Sequence, residues 1–244
     1  IVDLDDHQST VDSGPFCNWT LRRLVEEHPA DLLGRHAPLD AFPLLLKFLD
    51  ATDRLSLQVH PDDLVAARHH PGLRGKTEAW LVLSAEPGSR IYAGLKPGTG
   101  KPELESAIAG NRIVECLHHF EPKPGDCVFI PAGTVHALGA GILLYEVQQT
   151  NDVTFRLYDW DRTDPEGKSR PLHLAESLEV IDFTRGPVEP RPCRPSRIEG
   201  AQRNTLVECD YFVLDVIRTS GLLTLGGDDR FHIVTVFEGH AELS

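Results

Sequence analysis

From Phe42 onward the chain is a succession of short apolar runs, PLLLKFLDA, RLSLQVH, AWLVLSA and RIYAGL, each cut off by Pro, Gly or Asp. Runs this short, punctuated this way, read as strands rather than helices. The same texture returns at 113–120, 126–130, 135–138, 142–149 and 153–158. Many short strands separated by turn signals predict an all-β sandwich or barrel. Three helices interrupt it. In TLRRLVEEH, Leu21, Leu24, Val25 and His28 fall at helical spacing, with Thr20 as cap and Pro29 as stop. Pro102 to Ala109 reads as a short helix ended by Gly110, and SRPLHLAESLEVI (169–181) as a third. RGPVEPRPCRPSR (185–197) looks like a linker, and YFVLDVIRT, GLLTL and FHIVTVFEGHAEL beyond it look like strands again. The expected division is a β domain with an N-terminal helical segment over 1–165, a helical connector and linker over 166–198, and the truncated start of a second β domain over 199–244. The chain begins at Ile1, ends at Ser244 and has no Met, so one or both native ends are expected to be missing.

Charge excludes some functions. Lys+Arg number 24 and Asp+Glu 37, a net charge of −13, which argues against nucleic-acid or anionic-membrane binding. An anionic ligand would have to be held by a few placed Lys or Arg against that background. No apolar run is long enough for a membrane span, and the first residues lack the basic and apolar regions of a signal peptide. The five cysteines are scattered and form no C-x-x-C, so a reduced, cytoplasmic protein is expected.

Strand alternation singles out candidate ligands. In Leu55-Ser56-Leu57-Gln58-Val59-His60-Pro61, a strand puts Ser56, Gln58 and His60 on one face and Leu55, Leu57 and Val59 on the other. The bland reading is a half-buried surface strand. The functional one makes Gln58 and His60 metal ligands, because i and i+2 converge. Lys76 and Glu78 share a face in KTEAWLVL, and the apolar run after Glu78 carries the strand into the core. A carboxylate there needs a partner, either Lys76 or a metal. In Gly125-Asp126-Cys127-Val128-Phe129-Ile130-Pro131-Ala132-Gly133-Thr134-Val135-His136, a strand, a Pro-Ala-Gly turn and a second strand deliver His136. Two His, one Glu and one Gln suit a borderline divalent ion, Zn²⁺ first, with Fe²⁺, Mn²⁺ or Co²⁺ as others.

The spacing G-x5-P-x-G-x2-H resembles the second motif of the cupin superfamily, whose His is a metal ligand. The usual first motif, His-x-His followed closely by Glu, is replaced by Gln58-Val59-His60 with Glu78 far downstream. That variant, with QVHPDD then GKTE, resembles the short bacterial branch of the type I phosphomannose isomerases. FPLLLKFLDATDRLSLQVHPDD, GKTEAWLVL, IPAGTVHALGAGILLYEVQQTNDVTFRLYDWDR and EGHAEL look like that family in its order, over nearly the whole chain. The resemblance implies a cupin jelly-roll with flanking helices and a partial second, cupin-like β domain. It implies one Zn²⁺ per chain on Gln58, His60, Glu78 and His136, and pocket roles for Ser56, Lys76 and Arg156, with Lys47 a further candidate. It implies reversible interconversion of mannose 6-phosphate and fructose 6-phosphate.

The residues suit that chemistry. Moving a proton between C1 and C2 through an enediol needs a Lewis acid, positive charge near the developing oxyanion, and a base. Lys76 and Arg156 are the expected cations; Arg156 otherwise reads as a salt bridge to Asp159 or Asp161, and Lys47 as a lysine snorkelling at a strand edge. Ser56 is expected to donate a hydrogen bond to phosphate. Longer family members carry a His just before the Lys; Gly75 stands here. The candidate bases left are Glu146, a metal-bound water, or Lys76 with a lowered pKa. A non-catalytic sugar-phosphate or metal-binding cupin is the alternative, and oligomeric state is not legible. GLKPGTGKPE mimics a P-loop, but Pro102 stands where Ser or Thr must bind Mg²⁺. His69-His70 and His118-His119 are adjacent pairs whose side chains diverge on a strand.

Overall fold

A computed structural model describes residues 1–69, 72–192 and 194–242. Two antiparallel sheets form a jelly-roll sandwich. One has the order β1 (Leu44–Ala51), β8 (Ile142–Gln149), β3 (Glu78–Ala85), β6 (Cys127–Ile130). The other runs β5 (Leu117–Phe120), β4 (Ile91–Leu95), β7 (His136–Leu138), β2 (Leu57–Val59), β9 (Phe155–Tyr158). Trp80, Val82, Ile91, Val128, Leu138 and Leu144 fill the space between them.

Both outer faces are covered, so the strands read as nearly continuous apolar runs. Over the four-stranded sheet, Leu44, Leu81 and Val147 pack against Val25 of α1 (Leu21–Glu27) and Leu33 of α2 (Pro29–Leu33). Leu206, Val207 and Phe212 join that cluster from a third sheet, β10 (Arg194–Ile198), β11 (Ala201–Glu208) and β12 (Val213–Arg218). Over the five-stranded sheet, Leu57, Val59 and Leu157 pack against Leu104 of α4 (Lys101–Ala109) and Val180 of α5 (Leu174–Val180).

Several local expectations are corrected. Thr20 does cap α1, its Oγ1 accepting from the Arg23 N–H at 3.1 Å, but Pro29 also opens α2 as its first residue. Residues 113–116 form a 3-10 turn, and the strand starts only at Leu117. Of 169–181, only Leu174–Val180 is helical. The 185–197 stretch is not all linker: Arg194–Ile198 pairs with β11, and Pro195 is tolerated because β10 is an edge strand. Helix α3 (Asp63–His69) was unforeseen, although Asp62 at its start and Arg68 and His69 in its last turn are ordinary helix signals.

GLLTL and FHIVTVFEGHAEL form no strand among the described residues. Their alternation is used differently. Phe231 and Ile233 pack on the outer cluster, Phe237 meets Phe48 and Tyr145, and Thr235 Oγ1 lies 2.8 Å from the Tyr145 hydroxyl. The segment is draped on the sandwich and lacks a neighbouring strand to close a ladder. Cys17, Cys116, Cys127 and Cys209 are free thiols, and Cys193 lies outside the described residues. No helix among the described residues is long and apolar enough to cross a membrane.

Candidate metal centre and active site

At one end of the sandwich the apolar filling gives way to charge. Residues directly opposite in a strand pair lie on the same sheet face. On β8, Glu146 is opposite Lys47 of β1 and Trp80 of β3, and Gln148 is opposite Glu78. In the facing sheet, Gln58 is opposite His136 of β7 and Arg156 of β9. Backbone pairing therefore gathers Lys47, Glu78 and Glu146 on one sheet and Gln58, His136 and Arg156 on the other, and packing of the two sheets brings Glu78 to His136. The segments that flank β2 and β3 add His60 and Lys76.

The two imidazoles are oriented alike. His60 Nδ1 lies 3.0 Å from the Val153 carbonyl, and His136 Nδ1 lies 2.8 Å from the Thr134 carbonyl. A carbonyl only accepts, so both Nδ1 atoms carry the proton and both Nε2 atoms present a lone pair. Among the described residues neither Nε2 has a hydrogen-bond partner. They stand 3.3 and 3.7 Å from the two carboxylate oxygens of Glu78. The ligand atoms of His60, Glu78 and His136 lie within 4.8 Å of one another, and all three residues are buried. Burial, then the Lys76 charge, pushes His60 down to about 3, and burial lowers His136 too. Neutral imidazoles with free Nε2 atoms beside an ionised carboxylate are a donor set that fits a borderline divalent cation.

The next shell is ionic. Lys76 Nζ is 3.0 Å from Glu78 Oε1, and both side chains are almost fully buried. Burial works against both charges, but each is outweighed by its partner: Lys76 chiefly holds Glu78 well below the usual carboxylate range. Glu78 and then Glu146 hold Lys76 above its ordinary value, so Lys76 stands as an ammonium and not as the free-amine base considered above. Glu146 is 3.3 Å from Lys47 Nζ. Burial first, and the Glu78 charge second, push it up to about 8 against the pull of Lys47 and Lys76.

A cavity of about 170 Å³ opens here, lined by Lys47, Gln58, Lys76, Glu78 and Glu146 among the predicted residues. Ser56 is buried but does not line it; Leu55 does. The alternation expected for 55–60 fails there because β2 starts only at Leu57, beside a register shift against β9. Arg156 stands beside Gln58 in register but also does not line the cavity; its Nη1 donates to the Pro171 carbonyl at 2.8 Å. It has no ion pair among the described residues: Asp159 is held by Arg162 and Arg170 instead. Its Nε is buried without a hydrogen-bond partner among the described residues.

Trp80, Asp152 and Thr154 line the cavity and were missed. Trp80 was legible, two residues beyond Glu78 on the same strand face. Asp152 and Thr154 sit between β8 and β9; Thr154 was legible two residues before Arg156 in the 153–158 run, whereas no periodicity marks Asp152. Among the histidine pairs, His69 meets Glu179 at 3.2 Å and His118 meets Glu189 at 2.7 Å, while His70 lies outside the described residues.

A jelly-roll with two histidines and a glutamate converging between its sheets is a cupin with a metal-binding centre. The comparisons narrow the class. A family model described as phosphomannose isomerase type I, catalytic domain, matches residues 5–78. Mannose-6-phosphate isomerase ManA of Bacillus subtilis (strain 168) is 42% identical over 236 residues, covering 97% of this chain and 74% of that protein. Mannose-6-phosphate isomerase of Streptococcus mutans is 36% identical, covering 97% and 73%. The crystal structure of the mannose 6-phosphate isomerase from Bacillus subtilis superposes with a TM-score of 0.80 at 34% identity, covering 88% of this chain and 67% of that one. The chain belongs to the type I phosphomannose isomerase family.

Proposed function

We propose that this chain interconverts mannose 6-phosphate and fructose 6-phosphate, using a divalent cation, zinc first, held by Gln58, His60, Glu78 and His136. One observation carries the reading: two partnerless Nε2 atoms and the Glu78 carboxylate converge beside a cavity lined by Lys47, Lys76 and Glu146. The bound cation would polarise the sugar's carbonyl and hydroxyl oxygens as a Lewis acid.

The chain's own residues meet the other demands. Lys76, kept as an ammonium by Glu78 and Glu146, places positive charge where an enediolate oxygen develops. Glu146, at about 8, exchanges a proton near neutral pH and is the carrier between C1 and C2. Arg156, with its rigid fork of donors, and Lys47 hold the phosphate; Ser56, behind Leu55, does not reach it. These few cations work against a net charge of −13. The sandwich within 1–165 carries the chemistry, the segment from 166 up to β10 connects, and β10, β11 and β12 belong to a second β unit.

The test is a coupled assay from mannose 6-phosphate to fructose 6-phosphate with the purified chain, then after chelation, then with Zn²⁺ restored. Turnover lost to chelator and regained with zinc is expected. A folded chain that binds zinc and turns nothing over would sink the isomerase reading and leave a binding cupin.

A further inference from the structure

Asp63 is the first residue of α3, yet its carboxylate serves other segments. Asp62 makes the helix-start contact, its Oδ1 accepting from the Val65 N–H at 2.8 Å. Asp63 Oδ1 accepts from the Gly75 N–H at 2.6 Å and from Gln149 Nε2 at 3.1 Å. Its Oδ2 accepts from the Tyr211 hydroxyl at 2.9 Å. Gln149 is buried on β8, and its Oε1 accepts from the Thr77 N–H at 2.9 Å. Asp63 thus holds the residue before Lys76 directly and the residue after it through Gln149. The Lys76 N–H itself donates to the Pro61 carbonyl at 3.0 Å, two residues from Asp63.

Three consecutive amides, 75 to 77, are each tied down, and Asp63 anchors two of them. A lysine side chain is long and flexible, and its ammonium is placed only as well as its backbone is. Tyr211 reaches Asp63 from the turn between β11 and β12, so the third sheet touches the segment that carries Lys76.

We propose that Asp63 is a positioning residue for Lys76, and that Tyr211 is the contact through which the third sheet steadies it. The inference rests on the reading of Lys76 as an active-site cation. The experiment compares Asp63→Asn and Tyr211→Phe with the unmodified chain, all loaded with zinc. Asp63→Asn should lower kcat at least tenfold, and Tyr211→Phe two- to fivefold, with KM within twofold and zinc content unchanged.

A double-mutant cycle with Lys76→Ala, read by end-point conversion at high enzyme concentration, separates positioning from general destabilisation. Asp63→Asn should cost nothing further once Lys76 is gone. A turnover-free readout accompanies it: competitive amine labelling resolved by peptide mass spectrometry, with Lys47 as the internal reference. Lys76 labelling should rise at least fivefold in Asp63→Asn. Unchanged labelling and kcat within twofold in both variants, or losses that multiply with that of Lys76→Ala, overturn the proposal. Full activity in Lys76→Ala overturns it as well, and by itself marks the failure of the underlying reading.

Discussion

Glu78 and Glu146 lie diagonally across the β3–β8 pair, both buried on the same face, and their carboxyls are shifted in opposite directions. The difference is their neighbours. Glu78 faces Lys76 at 3.0 Å and the two imidazoles, which outweigh its burial. Glu146 has burial and the Glu78 charge against it, and Lys47 and Lys76 only partly compensate. Two acids with environments that push them apart are suited to different roles, one to stay an anion and the other to hold a proton near neutrality.

Glu146→Gln keeps the shape and loses the transferable proton. Its kcat should fall by about 10²–10⁴, the usual contribution of a placed acid–base group. Bound zinc should stay at wild-type content by elemental analysis. A kcat within threefold of wild type would remove Glu146 from the proton path.

Glu78→Gln should hurt both stability and metal binding. Lys76 is left buried without its closest counter-charge, and breaking such a buried pair costs about 3–5 kcal/mol. Glu146 remains near Lys76, so the low end is expected. Urea unfolding of the metal-free protein reads the first effect and zinc titration the second. If Lys76→Met is combined with it, the stability loss should shrink, because the stranded charge is gone.

Much of this centre was legible because it obeys a period of two. Gln58 and His60 fall at i and i+2, with Gln58 lining the cavity and His60 in the buried cluster, Lys47 turns inward between outward Leu46 and Phe48, and the Pro-Ala-Gly turn registers His136. Ser56 lay beyond that logic, since the strand starts one residue later and Leu55 takes the lining position. Asp63 and Tyr211 meet across 148 residues, and nothing local in either segment announces the contact. The 231–237 stretch alternates as a strand should, but a strand is defined by its partner, which no single segment can display.

The metal-free protein should be most stable near pH 6.5. His60 is held at about 3 against an ordinary 6.5, so between these values the unfolded chain binds more protons and acidification destabilises the fold. His136 is shifted the same way, and Glu78 adds to the loss below about pH 4.5. Glu146 acts oppositely. At about 8 against an ordinary 4.5, it binds a proton in the fold that the unfolded chain lacks, so stability declines as pH climbs between these values. Below pH 6.5 the two histidines oppose it; above, they no longer contribute and Glu146 is the group of the site that still titrates. Thermal melts in chelator across pH 4–9 should show this maximum, and Glu146→Gln should flatten the alkaline limb. Melting temperatures that keep rising through pH 8 would contradict the Glu146 environment.

Gly75 is a glycine for steric reasons. A Cβ placed there would lie 2.6 Å from the Asp63 nitrogen and 2.7 Å from the Asp62 carbonyl carbon. Those are backbone atoms, fixed by the Asp62 and Asp63 side-chain hydrogen bonds, so they cannot swing aside like a flexible side chain. Gly75→Ala should therefore cost about 1–3 kcal/mol as overpacking. For a chain of this size that is roughly 2–10 °C in melting temperature. Gly75→His, the residue that longer family members carry before the lysine, should cost at least as much. It should also lower kcat by displacing Lys76, because the start of α3 occupies the space that side chain needs. Calorimetry of both variants beside wild type checks the steric argument. An alanine variant that melts at the wild-type temperature would mean that the α3 start and the 75–77 segment are not in contact, and would equally weaken Asp63 as the anchor of Lys76.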